Sequence, residues 1–209
     1  MNTLYFTPGS CSVGIRIVLE EIGEPYETVA TDLRGGEQHS PAYKAVSAKS
    51  KIPALRRADG SVLTEFPAIA WWLARSHPQS GLIPADPEGE ARALEAMDYV
   101  VSTIHMQGFA RMARPGNFSP NVAEHPAVIA RGKEIFTNGL AVMNTALAGR
   151  DYVTGAFSLA DAALFYVEFW SFPRAGVPLP PHCAAHHQRM LARPSVQAVM
   201  AKESLTAHA

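Results

Sequence analysis

The sequence predicts an α+β N-terminal half with the element order βαβαββα, followed by an all-α C-terminal half. From residue 3 to about residue 78, short apolar runs alternate with amphipathic stretches, whereas beyond Pro87 helical periodicity continues with almost no strand signal. Between them lies Gly81-Leu82-Ile83-Pro84-Ala85-Asp86-Pro87, a short and partly apolar linker punctuated by prolines. Two domains are therefore expected, 1–80 and 87–209, packed together rather than swinging freely.

The elements follow from local chemistry. Residues 3–6 read as a buried strand. The stretch 13–22 carries apolar residues at helical spacing up to Gly23, which suits the left-handed position after a helix. Residues 26–31 alternate as a second strand, and 41–48 supply a short helix. Strands 52–56 and 61–63 flank the turn Ala58-Asp59-Gly60. Helix 66–77 repeats apolar residues at Ile69, Trp72 and Leu73 and stops before Pro78. The second half opens on Asp86 as N-cap, Pro87 at the first helical position, and Glu88 and Glu90 in the first turn. That helix is expected to reach about residue 114, where Pro115-Gly116-Asn117-Phe118-Ser119-Pro120 breaks it. Another runs from about 126 to 148. Further on, Ser158-Leu159-Ala160-Asp161 is a capping box with Asp in place of Glu, preceded by Phe157 as a staple. Both side chains are expected to be consumed by backbone donors, giving a cap without chemistry.

Composition excludes several classes. The 209 residues are 47% hydrophobic and 18% charged, ordinary for a globular chain with a sizeable core. Eighteen Lys and Arg against 19 Asp and Glu leave a net charge of -1 without long runs, so neither nucleic acid nor an anionic membrane is expected as a partner. The start Met-Asn-Thr-Leu-Tyr-Phe shows no signal-peptide pattern, and no window approaches a membrane span. Cys11 and Cys183 form no disulfide framework, which fits a reducing compartment and a cytoplasmic location.

The segment Tyr5-Phe6-Thr7-Pro8-Gly9-Ser10-Cys11-Ser12 delivers a cysteine from a strand, through a Pro-Gly turn, to a helix start. Free N–H groups and the helix dipole there favour a thiolate, and the hydroxyls of Ser10 and Ser12 flank the sulfur as donors. The bland alternative is a small buried residue closing the turn. The cluster His182-Cys183-Ala184-Ala185-His186-His187 puts His182 and His186 on one helical face, but no carboxylate or second cysteine completes a site nearby in sequence. Packing, and no metal, is expected there.

Taken in order, the cysteine after the first strand, the Ile52-Pro53 step, Glu65 before the third helix and the Ser-Leu-Ala-Asp cap resemble the cytosolic glutathione transferases over essentially the whole chain. Tyr-Phe-Thr-Pro-Gly-Ser-Cys-Ser resembles the bacterial beta-class variant. The resemblance implies a thioredoxin-like glutathione-binding domain, a helical domain forming the acceptor side of a cleft, and a homodimer. It implies that Pro53 is cis, with Ile52 offering backbone groups to the tripeptide as an added strand. Glu65 then meets the γ-glutamyl end, and Lys51 the glycyl carboxylate, with Arg34 or Lys49 adding to that field. Cys11, Ser10 or Ser12 would meet the ligand sulfur. The stretch Asp98 to His105 would face Cys11 across the cleft, with Asp98, Ser102 and His105 spaced four and three apart on one helical face. Phe109, Phe118, Trp170, Phe172, Met106 and Met112 are candidates for an apolar acceptor pocket.

The sequence also departs from that family. Where the family has Glu-Ser, this chain reads Glu65-Phe66-Pro67, which keeps the Phe66 N–H but loses a hydroxyl that holds the γ-glutamyl carboxylate. One lost charge-assisted hydrogen bond costs about 1.5–3 kcal/mol. The expected function is conjugation of glutathione to small apolar electrophiles, with thiol-disulfide exchange or peroxide reduction through Cys11 as a side activity. Two rivals stand beside it. One is a non-catalytic interaction or stress-response protein on the same scaffold. The other is a dedicated isomerase or lyase.

Overall fold

The computed structural model describes residues 1–206. The first half contains β1 (Asn2–Phe6), α1 (Ser12–Ile22), β2 (Tyr26–Ala30), α2 (Pro41–Val46), β3 (Ala54–Arg56), β4 (Val62–Thr64) and α3 (Phe66–Ser76). The expected order holds. Gly23 closes α1 at φ 77 and donates its N–H to the Leu19 carbonyl, while Gly60 takes φ 86 in the β3–β4 turn.

The sheet runs β2-β1-β3-β4, with β1 parallel to β2 and the other pairs antiparallel. Tyr5 at the end of β1 lies opposite Ala54 at the start of β3. This antiparallel register brings two distant segments to one end of the sheet: the turn that leaves β1 toward Cys11, and the Ile52-Pro53 step that enters β3. The Ile52-Pro53 bond is cis.

In the second half, α4 (Pro87–Asp98) begins on the Asp86 cap, whose carboxylate accepts the Gly89 N–H at 2.8 Å. The helix continues as a π-helical segment, Tyr99–Phe109, and ends in the turn α5 (Ala110–Ala113). Then follow α6 (His125–Ala146), α7 (Leu159–Trp170), α8 (Pro181–Leu191) and α9 (Pro194–Lys202). The π segment corrects the expectation of one face for Asp98, Ser102 and His105. Bonds to the fifth residue widen the turn, so spacings of three and four no longer align side chains. Asp98 and Ser102 are exposed, and His105 is buried.

The two halves share one hydrophobic core. All twelve residues of α7 are buried, and α1 packs directly on this helix. Their approach requires Gly14, since a Cβ there would stand 2.6 Å from the Ala162 carbonyl oxygen and 2.8 Å from the Phe66 ring.

Candidate active site

A cavity of about 220 Å³ opens where that end of the sheet faces the long helix. Cys11, Ile52, Pro53, Glu65 and Phe66 line it from the first half, with Ser47, Lys49, Lys51 and Thr64 around them. Val101, His105 and Met106 line it from the π segment. Ser10, Ser12, Asp98 and Ser102 are not among the lining residues.

Cys11 sits at the N-cap of α1, 8% exposed. Burial pushes its thiol up to about 12, outweighing its own and the Ser12 N–H groups and the distant positive charge of Arg114. The expected thiolate is thus not the resting form. The flanking hydroxyls fail to help for a local reason. Ser12 Oγ donates to the Thr7 carbonyl at 3.2 Å, and Ser10 and Ser12 share a 2.6 Å hydrogen bond, so both hydroxyl protons are spent within the turn. Neither serine donates to the sulfur, which corrects their expected role.

The turn itself is held from the other half. Trp170 Nε1 donates to the Gly9 carbonyl at 2.8 Å, and Glu203 Oε2 accepts the Gly9 N–H at 2.8 Å. Glu203 also pairs with Arg16 of α1 at 3.2 Å in a site closed to solvent. Both backbone groups of the residue two before Cys11 therefore depend on the helical half. Nothing in the sequence pattern singled out Glu203.

Ile52 lies outside the strand ladders, and its N–H and C=O take no hydrogen bond among the described residues. Tyr43 Oη fixes the preceding peptide by donating to the Lys51 carbonyl at 2.8 Å. Glu65 adopts φ 73, an uncommon conformation for a residue with a side chain, costing on the order of 1–3 kcal/mol. Its carboxylate meets Lys49 Nζ at 2.8 Å, with both side chains about half exposed, so the pair itself adds little stability. Lys51 has no anionic partner among the described residues. Arg34 stays in the 32–36 loop, where its backbone N–H binds Asp32, away from the cavity.

Phe66 is 4% exposed. Its ring turns inward between Gly14 and Tyr166, whose ring centroid is 5.4 Å away. The residue that replaces the family's serine therefore serves as an interdomain wedge, while its backbone remains at the start of α3.

His105 touches Tyr166, whose hydroxyl lies 3.3 Å from Nδ1, and packs edge-on to Trp170. Burial, then the charges of Arg114 and Lys51, lower it to about 3, so it is a neutral imidazole. Of the apolar residues expected to form an acceptor pocket, only Met106 lines this cavity. Phe109 and Trp170 stack on one another at 4.5 Å, and Phe118 lies under Arg111.

The histidine cluster also differs from expectation. His186 is buried between two carboxylates of α7, with Nδ1 2.8 Å from Glu168 Oε2 and Nε2 3.2 Å from Asp161 Oδ1. Carboxylates are thus present, supplied by another helix and invisible to local spacing. Asp161 still caps α7 by accepting the Ser158 N–H at 2.8 Å, but it is not consumed by backbone donors alone. No group of three or more potential ligands suited to a metal occurs among the described residues.

A thiol at a helix start, unpaired backbone at the entry to β3 and a facing helical half meet at this cavity. The chain matches the N-terminal domain model of glutathione S-transferases over residues 9–76 and the C-terminal domain model over 126–189. It is 32% identical to glutathione S-transferase GstA of Escherichia coli O157:H7, across 97% of this chain and 98% of that protein. It superposes with a TM-score of 0.92 on a glutathione transferase homologue from Sulfitobacter with bound glutathione, at 36% identity over 98% of this chain and 99% of that one. Half of the chain is also 34% identical to half of a maleylacetoacetate isomerase from Pseudomonas aeruginosa. The chain belongs to the glutathione S-transferase family of enzymes.

Proposed function

We propose that this enzyme binds glutathione along Ile52 and joins the glutathione sulfur, as a thioether, to a small electrophile admitted from the helical half. The observation that carries this reading is the unpaired Ile52 backbone, beside Cys11 and between charges of opposite sign, Lys51 and Glu65. A tripeptide with a carboxylate at one end and an ammonium and carboxylate at the other matches that order. Ile52 supplies strand-type hydrogen bonds, Lys51 attracts the glycyl carboxylate, Glu65 attracts the γ-glutamyl ammonium, and the Phe66 N–H at the start of α3 faces the remaining carboxylate. Glu65 must exchange Lys49 for the ligand, which favours modest affinity.

Chemistry at the sulfur is electrostatic. Cys11 is a neutral thiol and acts as a hydrogen-bond donor to the ligand sulfur rather than as the attacking group. His105 is too weak a base at neutral pH to take the proton, and it serves as a polar wall on the acceptor side. The positive field of Lys51 and Arg114 favours the anionic sulfur that attacks the electrophile. Exchange through Cys11 is disfavoured while the thiol stays buried.

Calorimetric titration with glutathione tests the reading, with millimolar or tighter binding expected. No heat at several millimolar would defeat it and leave the non-catalytic alternative. The match to an isomerase supports a second reading, in which the sulfur adds to a cis-alkene and leaves again. Consumption of glutathione separates the two, since conjugation of an activated aryl chloride uses it stoichiometrically and isomerisation of maleylacetoacetate returns it. A beta-class-like, cytoplasmic homodimer is part of this proposal, and light scattering at twice the 22.5 kDa chain mass is the expected result for assembly. No helix among the described residues is long and apolar enough to cross a membrane.

A further inference from the structure

Tyr166 of α7 does not line the glutathione cavity, but its ring touches two residues that do, Phe66 and His105. Its hydroxyl belongs to a fully buried side chain and has one hydrogen-bond partner among the described residues, His105 Nδ1 at 3.3 Å. Counting donors and acceptors places the proton of that bond. If Nδ1 carried a hydrogen, it would donate to the Tyr166 oxygen, and the tyrosine proton would lie buried with no acceptor, a costly arrangement. With the tyrosine as donor, both groups are satisfied. Nδ1 is then bare, and the ring carries its single hydrogen on Nε2.

Nε2 has the opposite surroundings. It takes no hydrogen bond within the chain among the described residues, yet it is not cut off from solvent. His105 lines the cavity and is otherwise packed against Phe109, Tyr166 and Trp170, so the free N–H is the polar edge that opens on the bound reactants. No carboxylate contacts the ring among the described residues, and nothing there favours a second proton. The ring enters from the π segment, on the helical side from which the electrophile is admitted, whereas Cys11 belongs to the wall formed by the first half.

We infer that Tyr166 is a positioning residue for the transferase reaction: its hydroxyl donates to His105 Nδ1 and holds the ring so that Nε2–H meets negative charge gathering on an oxygen of the electrophile. The inference rests on the function proposed above and adds to it a residue outside the cavity. When a glutathione thiolate adds to the β-carbon of a conjugated ketone, a C–S bond forms, the alkene electron pair shifts to leave charge on the carbonyl oxygen, and water later protonates the α-carbon. A fixed N–H aimed at that oxygen stabilises the charged stage. When the thiolate displaces chloride from an alkyl carbon, the charge leaves on chloride, a weaker acceptor, and the same N–H contributes less.

Two measurements on the intact enzyme at pH 7 test this. Two-bond nitrogen–proton NMR correlation, with His105→Gln identifying the signal, should show a bare Nδ1 and a protonated Nε2 in the wild type. Tyr166→Phe, which keeps the ring, should move the Nδ1 resonance toward that of a bare nitrogen without a donor. In the same variant, kcat/KM for addition of glutathione to benzylideneacetone should fall on the order of tenfold, while that for benzyl chloride falls less than about twofold. A hydrogen on Nδ1 in the wild type, or an Nδ1 resonance that Tyr166→Phe leaves in place, would overturn the inference. So would equal losses with both electrophiles, the mark of a merely structural tyrosine. The NMR measurement needs neither glutathione nor turnover, so its failure is distinguishable from failure of the transferase reading itself.

Discussion

Cys11 combines two opposing effects, and magnitude decides between them. The helix start lowers its pKa, but burial raises it further, to about 12. At pH 7 the thiolate fraction is then on the order of 10⁻⁵. Alkylation of Cys11 by iodoacetamide should accordingly be at least a hundredfold slower than that of free cysteine at pH 7, and should still be rising at pH 10; labelling at the free-cysteine rate would refute the assignment. In the bound enzyme, Cys11→Ala should raise the apparent thiol pKa seen in kcat/KM against pH by about one unit, since one donor to the sulfur is lost. His105 gives the opposite sign. Its folded value of about 3 lies below the ordinary 6.5, so its contribution to stability is complete above pH 6.5 and is lost as pH falls toward 3. His105→Phe should therefore show a smaller fall in Tm from pH 7 to pH 5 than the wild type, measured by differential scanning fluorimetry.

At the scale of elements, two helix contacts govern the molecule. The α1–α7 approach depends on Gly14, and Gly14→Ala places a methyl group against backbone rather than a movable side chain. That substitution should cost about 1–3 kcal/mol and lower Tm by several degrees. The α7–α8 contact depends on His186, which Glu168 and Asp161 raise to about 10 against the opposing effect of burial. A raised value means that the contribution is complete below pH 6.5 and is lost as pH climbs through 10. Amide exchange in α8, corrected for the intrinsic rate, should accelerate above pH 9 before α1 does; simultaneous opening of both would contradict local control by His186.

At the scale of the whole molecule, the sulfur-bearing turn belongs to both halves. Gly9 is hydrogen-bonded through its N–H to Glu203 and through its carbonyl to Trp170. Glu203→Leu leaves Arg16 charged and buried without a counter-ion and the Gly9 N–H without an acceptor, at a cost of about 3–5 kcal/mol. It should also loosen the turn, so that Cys11 alkylation accelerates under native conditions. The paired change Arg16→Met with Glu203→Leu should restore much of the Tm without restoring slow alkylation, because the Gly9 N–H stays unpaired. If Tm and alkylation recover together, the turn is held by packing rather than by Glu203.

The sequence by itself determined the element order, the break between the two grammars, the Asp86 and Ser158 caps, and the segments that meet at the cavity: the Cys11 turn, Ile52-Pro53 and Glu65. These are legible because capping, turn chemistry and periodicity act over a few residues. Tertiary structure alone decided what those residues do. It turned Phe66 into a wedge on Gly14, spent the Ser10 and Ser12 protons inside their own turn, and rotated His105 inward through the π segment. It also brought Glu203 to Gly9 and two carboxylates to His186 across long stretches of chain. Burial is a property of all the surrounding elements at once, and burial sets the protonation of Cys11 and His105. For that reason a reactive position was visible in the sequence, while its resting state as a neutral thiol was not.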